Sequence, residues 1–336
     1  MIDLVERLIP LSDQFNRPIT YLRISVTDRC NLRCVYCMPE AGLPWIPKSD
    51  VLTFEEIEAI VRAAASIGVR SLRLTGGEPL IRRDLAALVA KLAAIPGIDD
   101  IALSTNGLLL ADQIDALAAA GLRRVNISLD TLQPARFEQI ARRPGLERVL
   151  GGIDAAIAAG LGPIKLNCVV MRGQNDDELH AFAELTRDRE VYVRFIEMMP
   201  VEENVDLQRD AYLSASDMIA RIGERGTLQS TVGPGGNGPA RYFAFPGARG
   251  AVGVISPLSH DYCETCNRVR LSADGRLRLC LFGDNDIDLR SPLRGGATQA
   301  EIAGIFRGAM YVKPERHHLD LGQTSSAMRA LSEIGG

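Results

Sequence analysis

The sequence predicts an α/β protein, an incomplete β/α (TIM-like) barrel of about six units with a smaller C-terminal module. Three observations predict it. Short apolar runs recur from Tyr21 to about Ile196, amphipathic helical segments separate them, and beyond Met199 the rhythm breaks into short strand-like pieces. Strands alternating with helices make a parallel sheet, so an incomplete barrel or a doubly wound sheet suits the pattern. The 336 residues leave room for one large domain or two smaller ones. We read the division as residues 1–230 and 231–336.

The expected strands are Tyr21–Thr27, Ser71–Thr75, Ile101–Ser104, Arg124–Ser128, Ile164–Val170 and Tyr192–Ile196. Between the first two, Thr53 and Glu56 form a capping box. Phe54, Ile57, Ile60, Val61 and Ala64 then share one helical face, which Gly68 ends. Gly121 and Gly160 end later Ala-rich helices in the same way. Met199–Asp210 reads as irregular and acidic. Gly233-Pro234-Gly235-Gly236-Asn237-Gly238-Pro239 literally matches G-x-G-x-x-G, but it follows no clear strand, opens no helix and contains Pro234. It reads as a mobile loop or linker rather than a dinucleotide site.

Composition narrows the function classes. Hydrophobic residues make up 46% and charged residues 24%, which excludes general disorder. No apolar run approaches the roughly 18 residues of a membrane span, and the acidic start lacks the cationic region of a secretory signal. A cytoplasmic location follows as an expectation. A net charge of −4 argues against a dedicated nucleic-acid binder.

Six of the seven cysteines form two trios, Cys30, Cys34, Cys37 and Cys263, Cys266, Cys280. An odd cysteine count in such a chain speaks against a disulfide framework. The first trio, C-x3-C-x2-C on a loop after the first strand, can hold three irons of a four-iron cube and leave the fourth open. The second, C-x2-C-x13-C, leaves two readings open: a second cluster, or zinc completed by His260. Cys168 reads as a buried strand thiol, and His317 and His318 as surface residues.

The basic residues carry their own argument. Arg23, Arg73, Lys165 and Arg194 sit inside strands, each between apolar neighbours. Side chains alternate across a strand, so in a barrel these cations point into the lumen. Several buried cations need an anionic partner, and these strands carry no Asp or Glu before their C-terminal ends. A triphosphate suits the bidentate geometry of arginine, and no P-loop motif is present. Thr75-Gly76-Gly77-Glu78-Pro79, Ser104-Thr105-Asn106-Gly107 and Ser128-Leu129-Asp130 follow strands, where parallel sheets place ligand sites.

The segment Cys30-Asn31-Leu32-Arg33-Cys34-Val35-Tyr36-Cys37 resembles the radical S-adenosylmethionine (SAM) superfamily. Arg23–Cys30, Leu74–Pro79, Val125–Asp130, Lys165–Asn167, Phe195–Glu197, Cys266–Leu271 and the final Gly335-Gly336 resemble the GTP 3′,8-cyclase family, which opens molybdenum cofactor biosynthesis. Ser104 stands where that family more often has Thr. The resemblance implies two [4Fe–4S] clusters, one on each trio, and SAM as a cofactor that touches Tyr36, Gly77, Ser128 and Met199. It implies GTP as the substrate, touched by Arg23, Arg73, Ser104, Lys165, Arg194, Arg268 and Arg270. Arg268, Arg270, Gly335 and Gly336 carry catalytic roles in the same reading. A flavodoxin- or ferredoxin-type electron donor, a downstream cyclic pyranopterin monophosphate synthase and a homodimer are the implied partners. The rivals are a radical SAM peptide maturase with an auxiliary cluster, which the basic strands disfavour, and a non-enzymatic iron–sulfur or zinc protein.

Overall fold

The computed structural model describes residues 11–200, 204–283 and 286–317. Six parallel strands follow one another in both sequence and space: β1 (Tyr21–Ser25), β2 (Ser71–Thr75), β3 (Asp100–Thr105), β4 (Arg124–Ser128), β5 (Ile164–Val170) and β6 (Val191–Glu197). Helices α1 (Phe54–Ala65), α2 (Leu85–Ala93), α3 (Ile114–Ala119), α4 (Pro134–Ala141), α5 (Leu146–Ala158) and α6 (Leu179–Asp188) lie between them. Each expected strand is present to within two residues at its ends.

The inner order is sequential because each crossover carries an apolar helix face that packs back onto the sheet. In α1, Thr53 accepts from the Glu56 amide and Glu56 accepts from the Thr53 amide, which satisfies two donors at the helix start. Ile57, Ile60, Val61 and Ala64 then bury against the strands. Leu22, Ile24, Leu72, Leu74, Val125, Ile127, Val193 and Phe195 form the strand side of this core. Each such side chain contributes about 1.5–3 kcal/mol of burial.

Past β6 come α7 (Val205–Ala211), α8 (Ala215–Gly223), β7 (Gln229–Thr231), β8 (Arg241–Ala244), β9 (Ala251–Ile255), β10 (Arg268–Leu271), β11 (Arg276–Arg278), β12 (Asp286–Asp288), α9 (Arg290–Arg294) and α10 (Gln299–Met310). The short C-terminal strands join the same sheet. β9 adds parallel to β6 and β10 parallel to β1, with antiparallel hairpins outside them at both edges. The strand order is open rather than cyclic, as an incomplete barrel requires.

Two local expectations need correction. Met199–Asp210 is not wholly irregular, because α7 begins at Val205. Tertiary packing supplies what local composition hid. Ala211 and Leu207 pack with Met171 and Met198, and buried Gln208 donates to the Met198 carbonyl at 3.3 Å. The glycine-rich segment 233–239 does follow a strand: it connects β7 to β8 in one hairpin, so it is not a linker.

Candidate functional site

The first cysteine trio lies on the loop between β1 and α1, and several elements hold that loop. The Gly77 amide donates to the Thr27 carbonyl and the Glu78 amide to the Arg29 carbonyl, both at 2.8 Å. A Cβ at Gly76 would sit 2.4 Å from Thr27 O, and one at Gly77 would sit 2.2 Å from Arg29 O. The close approach that these glycines permit is therefore to the chain's own cysteine loop, as well as to the cavity that both line.

Glu78 is buried, and its carboxylate accepts from Thr105 Oγ1, the Asn106 amide and the Leu80 amide. Burial pushes its carboxyl up to about 7 against the pull of those bonds. Asn106 in turn donates to Asn31 at 2.7 Å. On the far side, Arg33 and Val35 donate backbone bonds to Ala141 and Ile140 at the end of α4.

The three cysteines, none of them in a disulfide, line one cavity of about 250 Å³. Burial, with Asp130 and the other two thiols beside it, holds the Cys34 thiol well above its usual range. Burial likewise takes Cys30 to about 11. Thiols this buried and crowded need a metal's charge to become thiolates, because the nearby Arg33 does not offset burial at Cys30, so the donor set fits an iron–sulfur cluster.

Among the described residues no group of three or more His, Cys, Asp or Glu side chains could hold one metal ion. His260 is thus not gathered with the second trio around a single point, whereas a four-iron cube spreads its thiolates over separate irons. Cys263, Cys266 and Cys280 lie in mutual electrostatic range, outside the cavity lining but next to its wall residues Tyr262 and Leu281. Burial opposes a Cys266 thiolate, but Lys313 and Arg268 more than offset it and draw the thiol below its ordinary value.

The same cavity is lined by Tyr36, Gly77, Ser128 and Met199, and by Arg23, Arg73, Ser104, Arg194, Arg268 and Arg270. Tyr36 donates to Asp130 Oδ2 at 2.7 Å, and the other Asp130 oxygen accepts from the Val169 amide. Arg270, Arg23 and Arg73 occupy one cross-strand row over β10, β1 and β2. Such an alignment of like charges is destabilising. Arg73 donates to Ser104 at 3.3 Å and to the Tyr21 phenol, while Arg268 lies over the rings of Tyr21 and Tyr262.

Among the described residues, none of Arg73, Lys165, Arg194, Arg268 and Arg270 lies within ion-pair distance of a carboxylate, and the Nε atoms of Arg194, Arg268 and Arg270 have no hydrogen-bond partner. Burial brings Arg194 down to about 10. Burial, then Arg194, Arg124 and Arg73, brings Lys165 down to about 7. Lys165 does not line the cavity; its Nζ donates to the Gly235 carbonyl at 2.8 Å. Gly335 and Gly336 lie outside the described residues.

Sequence reasoning missed several residues here. Tyr21 stands two positions before Arg23, so the period of the strand already put it on the lumen face. Burial raises its phenol, but Arg73, Arg23 and Arg268 together bring it down to about 8. Glu197 carried no assigned role. It is fully buried and accepts from the amides of Ala215, Leu258 and Ser259, tying the approach to the second trio onto β6. Asn237, Gly238 and Pro239 of the glycine-rich hairpin line the cavity, and no local signal pointed there.

The family model for the Radical SAM superfamily matches residues 24–186, and the one for Molybdenum Cofactor Synthesis C matches residues 191–319. The chain is 51% identical over 325 residues to the GTP 3′,8-cyclase of Heliobacterium modesticaldum, covering 96% of this chain and 99% of that protein. It is 49% identical over 327 residues to that of Pelotomaculum thermopropionicum, covering 97% and 100%. Among solved structures it resembles Streptococcus suis SuiB bound to S-adenosylmethionine, with a TM-score of 0.55 at 16% identity over 85% of this chain and 67% of that one. That likeness is one of fold.

Proposed function

The chain belongs to the GTP 3′,8-cyclase family of the radical SAM superfamily, and from that premise we propose how its cavity serves the family's chemistry. The protein is a radical SAM lyase of molybdenum cofactor biosynthesis that carries two [4Fe–4S] clusters and uses GTP. The chemistry the bound cofactors supply is one-electron cleavage of SAM to a 5′-deoxyadenosyl radical, which takes the 3′ hydrogen of GTP so that C3′ joins guanine C8 and, after reduction and protonation, gives (8S)-3′,8-cyclo-7,8-dihydroguanosine 5′-triphosphate.

In this proposal Cys30, Cys34 and Cys37 hold one cluster and leave an open iron for the amino and carboxylate groups of SAM. Cys263, Cys266 and Cys280 hold the other, to which the guanine base is assigned. Tyr36, braced by Asp130, orients SAM together with Gly77, Ser128 and Met199. Arg23, Arg73, Arg194, Arg268 and Arg270 bind the triphosphate from the cavity wall, Lys165 adds its charge from behind them, and Ser104, held by Arg73, contacts GTP. Arg268, Arg270 and the Gly335–Gly336 tail fix the reacting geometry and exclude water. The division at residue 230 separates the part carrying the first trio from the part carrying the second. A flavodoxin- or ferredoxin-type donor, a homodimer, a cyclic pyranopterin monophosphate synthase as the next enzyme and a cytoplasmic location complete the proposal. Among the described residues no helix is long and apolar enough to cross a membrane.

One observation carries the substrate reading. A single cavity is lined both by three cysteines and by buried guanidinium groups, several of which have no carboxylate partner among the described residues. Uncompensated buried charge is costly, and a triphosphate is the ligand that relieves it. Anaerobically reconstituted protein given GTP, SAM and a reductant should form the 3′,8-cyclised product by mass spectrometry. SAM cleavage with no GTP binding would favour the peptide maturase instead.

A further inference from the structure

Lys313 follows α10 and is only 2% exposed. No carboxylate among the described residues lies within ion-pair distance of it. The nearby acid, Asp13, is already committed: it binds Arg17 Nε at 2.6 Å and accepts from the amides of Phe15 and Arg17. Lys313 Nζ instead donates to the Leu279 carbonyl, one residue before Cys280, and lies 3.6 Å from Cys266 Sγ. It does not line the cavity, so the substrate does not neutralise it.

Burying an ammonium without a counter-charge is costly, and the groups beside Lys313 best placed to supply negative charge are the sulfurs of Cys266 and Cys280. Arg17 fixes the same corner, donating to the carbonyls of Cys263, Pro314 and Glu315, so the backbone just after the lysine is tied to the cysteine loop.

We propose that Lys313 is the charge partner of the second cluster, an N–H···S donor to Cys266 that raises that cluster's reduction potential. This rests on the reading that the second trio carries a cluster. Net charge and hydrogen bonds to sulfur are the means by which a protein sets such a potential. A cation favours the reduced state, which carries one more negative charge, so removing it moves the midpoint to more negative values.

The test is an EPR-monitored redox titration, with iron analysis, of anaerobically reconstituted full-length protein as wild type, Lys313→Met and Lys313→Arg. The first cluster serves as the internal reference. Lys313→Met should shift only the second midpoint, and Lys313→Arg should restore most of the shift. If Lys313→Met loses about half of the iron, its recovery in Lys313→Arg supports the same role, because it follows the charge. A second midpoint unmoved in Lys313→Met, or equal iron loss in both variants, overturns the proposal. Wild-type protein with no second cluster at all would instead overturn the underlying reading.

Discussion

Arg73 and Arg268 both touch Tyr21 from different strands, so each positions the other as well as facing the cavity. Truncating one member of a buried charged contact typically costs about 2–5 kcal/mol. Arg73→Ala and Arg268→Ala should therefore each weaken GTP binding by tens-fold or more in calorimetry while leaving the iron content unchanged; unchanged affinity in both would place the triphosphate elsewhere. Lys165 makes the pH-dependent counterpart. Burial and neighbouring arginines bring it to about 7 in the free protein, and a bound anion favours its charged form. Above pH 7 binding must first recharge it, so its contribution is full below about 7 and declines as pH rises. GTP affinity should fall between pH 7 and 9 in wild type, and Lys165→Arg should flatten that slope. The strand cations were legible because a two-residue period exposes a charge set among apolar neighbours. Lys313 was not, since the run Val312-Lys313-Pro314-Glu315 looks like an exposed turn and only the fold buries it.

At the scale of elements, the turn after β2 is the most demanding. A side chain at Gly77 would meet backbone rather than a movable side chain, so Gly77→Ala must displace the cysteine loop. Its reconstituted protein should hold about half the wild-type iron, because one cluster of two is lost, and SAM cleavage should fall away; full iron with normal cleavage would show that the loop can yield. The strands, the α1 capping box and the helix-ending glycines could all be read from period and capping chemistry. The short helix α7 could not. Its support comes from residues far away in sequence, including Tyr36, whose carbonyl accepts from Asn204 at the start of the helix. The hairpin loop 233–239 had the composition of a solvent loop, and its place against Lys165 and the cavity depends on β8 pairing with β9.

For the whole molecule, the two trios should be separable. Cys263→Ala should lose about half of the iron yet still cleave SAM under reducing conditions, whereas stoichiometric zinc in freshly prepared protein would contradict a second cluster. Deleting Gly335 and Gly336 should leave both clusters and GTP affinity largely intact but lower cyclised product by orders of magnitude, since about 1 Å of misplacement can cost about 10²-fold. A truncated protein that cyclises GTP normally would remove the tail from the active site. The alternating pattern announced the barrel core, but it did not show that β9 and β10 would extend it, because short strands reveal their neighbours only through long-range pairing.

That pairing also sets an order of events during synthesis. β10 docks on β1, and Arg270 meets Arg23 there across most of the chain's length. The closure entropy of so long a loop is met late, once the intervening strands have already shortened the gap. A growing chain can thus complete its first cysteine loop and six inner strands while its cation row is still missing a member and its second trio is unmade. The arginine-bearing wall of the cavity is completed last, so the first cysteine loop matures ahead of the full cation row, and only the finished polypeptide brings the two together.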